Sequence, residues 1–302
     1  MRTSYPGAQT QKPDPETDVT IPPMTARPEV LAPAGSPAVL AAALAAGADA
    51  VYLGLKHLNA RRGAGNFSAD DLAAAVVAAR QRSARIHLTL NIDLASRDLG
   101  HAARILALAE RCGVHAVLVK DAALLALAPH FPGIEVHAST QAGVSSSAGV
   151  AAAARLGCRR VVLARELTMD EVRACAAVPD VETEVFVQGA LCFCVSGRCL
   201  LSSWVGGRSG NRGLCTSPCR VPWTAGEGDV ARHLSTHDLC AVDLVPALAA
   251  AGVSSLKIEG RLKSAAWVAQ AVALYRQAVD GGASSAGAAG LGDYTGRVLS
   301  PG

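Results

Sequence analysis

The chain has 302 residues, of which 50% are hydrophobic and 18% are charged. This length and composition allow one large domain or two small ones with a substantial core, and they exclude a chain that is disordered throughout. The net charge is only +3 and aromatic residues make up 4%. These values exclude a nucleic-acid coat held by overall charge, so any basic binding surface has to be local.

The two ends of the chain differ in composition from its middle. Residues 1–28 are rich in Pro and Thr and lack the apolar segment of a secretory signal, so we expect a disordered extension. Residues 281–302 are rich in Gly, Ala and Ser and are expected to be flexible. The most apolar stretch, residues 38–55, is interrupted by Gly47, Asp49 and Gly54 and is too polar to span a bilayer. These features predict a soluble protein of the cytoplasm.

Between residues 29 and 280, short β-like runs alternate with helix-like stretches rich in Ala and Leu. Eight runs are predicted as strands, at residues 29–34, 50–54, 85–92, 116–120, 135–139, 160–164, 184–188 and 255–259. The helix-like segments include residues 37–46, 69–82, 100–112 and 243–251. This alternation predicts an α/β fold with a parallel sheet, and eight units favour a closed (β/α)8 TIM-type barrel. No GxGxxG motif follows the first strand, which weakens the alternative of a dinucleotide-binding sheet.

Residues 191–232 form a cysteine-rich insertion between the seventh and eighth predicted strands. In a barrel this position lies at the carboxyl ends of the strands, where active sites are found. Five of the nine cysteines fall within the insertion, and no export signal accompanies them. Clustered thiols in a reducing compartment indicate metal or redox chemistry rather than disulfides.

The spacing of these cysteines suits a metal centre. Cys192 and Cys199 form a C-x6-C pair, and Cys215 and Cys219 form a C-x3-C pair. Four thiolates from one loop suit a [4Fe–4S] cluster or a zinc ion, and the lack of a C-x2-C knuckle favours iron–sulfur. Cys194 and Cys240 are alternatives for the fourth ligand, and a set of buried free cysteines is the alternative to any metal site.

The insertion is also locally basic. It carries Arg198, Arg208, Arg212 and Arg220, with no acidic residue between positions 191 and 220. Positive charge favours thiolates and can hold a carboxylate or phosphate. A solvated, arginine-rich loop is the alternative interpretation.

Charged and amide side chains at the ends of the predicted strands form a second set of candidates. A shared barrel mouth would bring them around a small polar substrate, although some would only close ion pairs beneath the loops. The predicted catalytic residues are Lys257, Glu259, Arg261, Arg165, Glu166 and His137, and the predicted substrate-binding residues are Asn59, Arg61, Asn91 and Gln141. A hydrolase is poorly supported, because the sequence has no GxSxG or HExxH motif.

Four segments resemble the peptidase U32 family, the collagenase-like proteins. They are EVLAPAGSPAVLAAALAAGADAVYLG (29–54), NARRGAGNFS (59–68), the cysteine block from FVQG to TSPCR (186–220) and SLKIEGRLKS (255–264). The resemblance extends from residue 29 to about residue 280. Within it, Gln188 replaces the histidine of the family's FVHG motif.

The resemblance implies a function that the family name only partly describes. Some members have been called proteases, whereas others are iron–sulfur proteins that hydroxylate tRNA, ribosomal RNA or a ubiquinone precursor without dioxygen, with prephenate as the implied oxygen source. The family's cluster cysteines correspond to Cys192, Cys199 and Cys215, with Cys219 as the usual fourth ligand and Cys240 as the alternative. The chain is most similar in form to the short members of ubiquinone synthesis.

We therefore expect an iron–sulfur hydroxylase that acts on a ubiquinone precursor or an RNA base with a small anionic co-substrate such as prephenate. A zinc ion is the alternative to the [4Fe–4S] cluster. The alternative functions are a peptidase and a non-catalytic iron–sulfur partner subunit of a paralogue.

Overall fold

Eight parallel strands close into a barrel in the computed structural model, which describes residues 27–226, 228–282, 285–293 and 298–301. The barrel strands are β1 (Glu29–Pro33), β2 (Ala50–Leu53), β3 (Arg85–Leu90), β4 (Ala116–Val119), β5 (Glu135–Ala138), β6 (Arg160–Val162), β7 (Glu182–Ala190) and β11 (Ser255–Ile258). β11 pairs with both β1 and β7 and so closes the barrel. The predicted (β/α)8 architecture is confirmed, with each predicted strand in its place.

Helices cover the outside of the barrel. They are α1 (Pro37–Ala45), α2 (Ala69–Arg80), α3 (Leu99–Cys112), α4 (Ala122–Leu127), α5 (Ser147–Arg155), α6 (Met169–Ala176), α8 (Val245–Ala250) and α9 (Ala265–Val279), while α7 (Leu201–Gly206) lies in the insertion. Local sequence sets their ends: Ser68 and Asp71 form a reciprocal capping box at the start of α2. Gly113 ends α3 in the left-handed conformation, with φ of 75°.

The insertion contains more regular structure than its sequence predicts. β8 (Trp223–Ala225) and β9 (Asp229–Ala231) form an antiparallel hairpin. After the insertion, β10 (Asp238–Cys240) pairs antiparallel with the last residues of β7. This pairing explains why β7 runs beyond its predicted end, because its final residues find a hydrogen-bonding partner outside the barrel.

Part of the carboxyl-terminal segment packs on the barrel, in contrast to the flexible tail expected from its composition. α10 (Ala289–Asp293) buries Leu291, whose carbonyl oxygen accepts a hydrogen bond of 3.1 Å from Trp267 Nε1. β12 (Leu299–Ser300) pairs with β10. The disordered extension predicted for residues 1–28 lies outside the described residues except at positions 27 and 28. Within the described ranges, no helix is long and apolar enough to cross a membrane.

The barrel interior combines a small apolar cluster with buried charged side chains. Strand side chains between barrel and helices form the main core, as expected for parallel strands buried on both faces. Inside the barrel, Arg160 Nη1 lies 2.7 Å from Glu29 Oε1 and 3.2 Å from Glu184 Oε2. Lys257 Nζ lies 2.7 Å from Glu184 Oε1. These buried ion pairs form a closed floor beneath the barrel mouth.

Candidate active site at the mouth of the barrel

A cavity of about 380 Å³ opens at the carboxyl ends of the strands, between the barrel and the insertion. Its wall combines thiols with cationic side chains and one carboxylate. The chemically active side chains that line it are Cys192, Cys215, Cys219, Arg61, Arg165, Arg220, Lys263 and Glu259. Its volume falls in the range of small-molecule sites, and its position is where (β/α)8 barrels bind substrates.

Polar groups surround the thiols. Cys215 Sγ lies 3.4 Å from the backbone nitrogen of Ser217 and 3.8 Å from Ser202 Oγ. Cys192 Sγ lies 3.9 Å from Arg165 Nη1. Burial raises the pKa of the Cys219 thiol, and the neighbouring Arg220 guanidinium opposes that rise. Hydrogen-bond donors therefore face the sulfur atoms of Cys192 and Cys215.

Cys199 does not line the cavity but lies behind it. Burial raises the pKa of its thiol, and the thiols of Cys194 and Cys215 raise it further. In the described ranges of the chain, no three His, Cys, Asp or Glu side chains are grouped closely enough to hold a single metal ion.

Cys240, the alternative fourth ligand, is placed apart from these thiols. It is buried on β10, where burial raises its pKa and Tyr275 is its hydrogen-bonding neighbour. Tyr275 Oη also donates a 3.1 Å hydrogen bond to Gln188 Oε1. The pairing of β11 with β7 shifts by one residue at this point, because Lys257 pairs with Phe186 and the next residue, Ile258, pairs with Gln188. Gln188 and Cys240 therefore pack against α9 and do not line the mouth.

An ion bridge of three residues separates the cysteine cavity from the barrel interior. Glu259 Oε1 accepts from Arg61 Nη2 at 3.2 Å, and Glu259 Oε2 accepts from Arg165 Nη2 at 3.2 Å. Burial by itself would raise the pKa of Glu259, but Arg61 and then Arg165 outweigh it and lower the pKa to about 2. The carboxylate is therefore ionised at neutral pH and joins two cations.

A second, smaller chamber of about 40 Å³ lies on the inner side of this bridge. It has room for a water molecule or a small polar group. Side chains that line it include Tyr52, Thr89, Asn91, Ser139, Gln141, Phe186, Lys257 and Arg261. Predicted site residues that lie in or just after five different strands meet here, because Arg61, Asn91, Gln141, Arg165 and Lys257 all line this chamber.

Arg261 is the most unusual group of this chamber. It is buried, and its Nη1 donates to Asn59 Oδ1 and Thr89 Oγ1, both at 3.1 Å. Among the described residues it has no carboxylate within ion-pair distance. Burial lowers its pKa to about 10, so the guanidinium is still charged at neutral pH. A buried charge paired only with neutral groups is costly unless an anion approaches it.

Two glycines make this arrangement possible. A Cβ at Gly54 would lie 2.6 Å from Arg261 Nη1 and 2.9 Å from Asn59 Cγ. Gly189 has φ of +103°, and a Cβ there would lie 2.4 Å from the carbonyl oxygen of Glu259. Only glycine leaves room for the guanidinium at the first position and for the Glu259 backbone at the second.

Three predicted site residues have other positions. His137 is buried inside the barrel, where its Nε2 lies 3.2 Å from Glu135 Oε2, and it lines neither cavity. Glu166 accepts hydrogen bonds from the backbone nitrogen and hydroxyl of Ser196 at 3.0 and 2.8 Å, so it anchors the insertion. Asn59 is buried and orients Arg261 without lining either cavity. These three act on neighbouring groups and do not face the space for a ligand.

The sequence predictions missed the aromatic walls of the inner chamber. Lys257 Nζ lies 4.4 Å from the centre of the Tyr52 ring, and Arg165 Cζ lies 3.8 Å from that of Phe186. Such stacking holds cations in place. The available signal was the alternation of side chains along β2 and β7, which directs both rings into the barrel.

Fold and site together define a (β/α)8 barrel protein with a cation-rich, thiol-lined cavity at its mouth. The sequence profile described as "Peptidase family U32" matches residues 35–291. The chain therefore belongs to peptidase family U32. The solved structure of the U32 peptidase Mk0906 has a similar fold, with a TM-score of 0.50 and 15% identity, over 82% of this chain and 96% of that one.

Curated relatives carry two kinds of name. "Uncharacterized protease MJ0090" of Methanocaldococcus jannaschii is 37% identical over 83% of this chain and 65% of its own length. "tRNA hydroxylation protein P1" of Bacillus subtilis is 35% identical over 85% of this chain and 64% of its own length. "23S rRNA 5-hydroxycytidine C2501 synthase" of Escherichia coli is 39% identical over 84% and 39%. The chain thus spans less than two thirds of each of these relatives.

Proposed function

We propose that this protein is an iron–sulfur-dependent hydroxylase that modifies an RNA base without dioxygen. The observation that carries the proposal is the cavity in which three thiols meet the Arg61–Glu259–Arg165 bridge at the barrel mouth. Two of the relatives described above are named for hydroxylation of tRNA and for synthesis of 5-hydroxycytidine in 23S rRNA. A ubiquinone precursor is the alternative acceptor, as the resemblance to the short family members implies.

Cys192, Cys199, Cys215 and Cys219 are the residues that would hold a [4Fe–4S] cluster. Two of them lie beside arginines, and hydrogen-bond donors reach Cys215, so the donor set suits an electron-rich, negatively charged group. When bound, a cluster supplies one-electron redox chemistry at the cavity wall. Cys240, the alternative fourth ligand, is buried beside Tyr275 of α9.

The arginines of the mouth would bind a small anionic co-substrate, such as prephenate. Arg61 and Arg165 are held in place by Glu259, and Arg261 faces the inner chamber without a carboxylate of its own among the described residues. A carboxylate of the co-substrate would pair with these cations, and Asn91 and Gln141 would contact its hydroxyl group.

The proposed reaction exchanges a hydroxyl group for a hydrogen atom between the two substrates. A ring C–H of the base becomes C–OH, and the C–OH of the donor becomes C–H. The base loses two electrons and the donor gains them, so no external oxidant is consumed. The ion bridge and the aromatic walls would keep bulk water from the reacting atoms.

The test begins with anaerobic purification of the wild-type protein and of the Cys215→Ser and Cys175→Ser variants. Cys175 is buried on α6 and serves as the matched control. We expect iron, sulfide and visible absorption in wild type and control but not in Cys215→Ser, and hydroxylated nucleosides after incubation with RNA and prephenate. Iron-free wild-type protein, or loaded protein that hydroxylates neither RNA nor a quinone precursor, would contradict the proposal.

A peptidase is the second candidate, because the family name and one relative carry that description. It predicts cleavage of a protein substrate that survives removal of iron. A non-catalytic partner subunit is the third, and it predicts that Arg261→Met leaves the activity of an assembled complex unchanged. The hydroxylase predicts loss of that activity, since Arg261 faces the co-substrate.

A further inference from the structure

A cationic groove lies beside the cysteine cavity, between the loop after β2 and the first half of α3. It consists of two adjoining cavities of about 380 and 280 Å³ that share His57 and His101. The two imidazole rings meet edge to face, with centres 5.7 Å apart. None of the residues that line this groove takes part in the site described above.

The lining of the groove is predominantly positive. Lys56, Arg62 and Arg104 are exposed along it. The acidic residue among its lining side chains, Asp98, lies 2.7 Å from Arg212 Nη2 and is neutralised by that ion pair. The remaining three cations fit an anionic partner with several charges in a row.

The groove leads to the cysteine cavity. A Cβ built on Gly213 would lie 3.0 Å from Arg62 Cγ, so the Arg62 side chain rests on this glycine. Gly213 also lines the cysteine cavity. A chain-like ligand in the groove would therefore pass directly over the entrance to the proposed active site.

We propose that this groove, lined by Lys56, Arg62 and Arg104, binds the phosphodiester backbone of unpaired RNA and guides the target base into the cysteine cavity. The inference rests on the proposed hydroxylase function and names the surface that selects its substrate. An enzyme that modifies a base has to take that base out of the stack, which favours an unpaired segment. Phosphates spaced along such a segment match cations spaced along the groove.

The low overall charge of the protein gives weight to the cluster of cations along the groove. A net charge of +3 attracts nucleic acid only weakly as a whole, so phosphate contacts have to come from a concentrated patch. The half-buried Leu108 adds an apolar contact at the groove, on which a sugar or base edge can pack. Peptide partners that lack a run of negative charges would gain little from the three cations.

The test measures the salt dependence of RNA binding with the full-length protein. A fluorescein-labelled, unstructured RNA is titrated with wild type, an Arg62→Ala/Arg104→Ala double variant and an Arg159→Ala control between about 50 and 200 mM salt. Arg159 is exposed immediately before β6, at the opposite end of the barrel. Circular dichroism confirms that each variant is folded.

We expect the double variant to reduce the slope of log K against log salt by about 1.4, because each lost phosphate contact on a single strand removes about 0.7. The same contacts predict roughly 25-fold weaker binding at about 0.1 M salt. Arg159→Ala should retain both the wild-type slope and the wild-type affinity.

Two contrary results have different meanings. If wild-type protein binds or hydroxylates RNA and the double variant matches it in slope and affinity, the groove assignment is overturned and the proposed function stands. If wild-type protein neither binds nor hydroxylates RNA, the RNA substrate is overturned and the groove assignment falls with it.

Discussion

Replacement of Glu259 by glutamine removes the carboxylate that joins Arg61 to Arg165 and keeps the size of the side chain. Burial alone would raise the pKa of this carboxyl, but Arg61 and then Arg165 lower it from 4.5 to about 2. A pKa difference of this size corresponds to about 3 kcal/mol at about 1.4 kcal/mol per pKa unit. That is the stabilisation which the ionised carboxylate contributes to the folded state at neutral pH.

The pH dependence follows from the direction of this shift. Since the folded-state pKa lies below that of the unfolded chain, the contribution is complete above about pH 5 and is lost as the pH falls from about 4.5 to about 2. Between about pH 7 and pH 3 the wild type should lose about 2 kcal/mol more unfolding free energy than Glu259→Gln. Other acidic groups are common to both proteins and cancel in this difference.

Urea unfolding followed by circular dichroism at both pH values measures this difference. The matched control is Asp170→Asn, because the Asp170 side chain is 92% exposed and its ion pair with Arg173 is screened by solvent. We expect the control to track the wild type at both pH values. A difference between wild type and Glu259→Gln that stays constant from pH 7 to pH 3 would refute the assignment of Glu259 as an ionised bridge.

Two further substitutions test the space and the protonation of the barrel interior. Gly54→Ala places a Cβ 2.6 Å from Arg261 Nη1, whereas Gly63 has no atom within 4 Å of such a Cβ. We expect Gly54→Ala to cost about 1–3 kcal/mol in urea unfolding and Gly63→Ala to cost far less, and equal costs would contradict the close packing. Burial, and next His137, hold the pKa of His87 well below 6.5. As the pH decreases from about 6.5, the unfolding free energy of the wild type should therefore decrease by up to about 1.4 kcal/mol per pH unit on account of this residue. A His87→Phe variant whose stability depends on pH in the same way as that of the wild type would refute this assignment.

The succession of strands and helices along the chain could be predicted because the sequence patterns that indicate them are local. Apolar runs of four to six residues and helix caps such as Ser68 and Gly113 depend on near neighbours in the chain. The cysteine spacing likewise predicted a thiol-rich insertion after the seventh strand. A glycine such as Gly189 also carries a local signal, but its need to pass the Glu259 carbonyl becomes visible only when the barrel is closed.

The position of each strand-end side chain within the barrel could not be predicted in the same way. In the sequence, Glu166 and His137 lie close to strand ends, as Arg165 does. In the structure, Glu166 anchors the insertion, whereas His137 lies inside the barrel below the mouth. Cys240 was a candidate ligand by sequence, and pairing of β10 with β7 places it against α9. Register and pleat decide which way such side chains point, and both depend on partners far away in the chain.

The sequence by itself determined the alternation of strands and helices, the family and the thiol-rich character of the insertion, because short-range periodicity and motif spacing carry that information. The tertiary structure decided that Arg61, Glu259 and Arg165, from three separate strand ends, form one ion bridge. It also decided that Arg261 is buried without a carboxylate partner among the described residues. Closure of the barrel brings these groups within hydrogen-bond distance, and it excludes the water that would otherwise screen their charges.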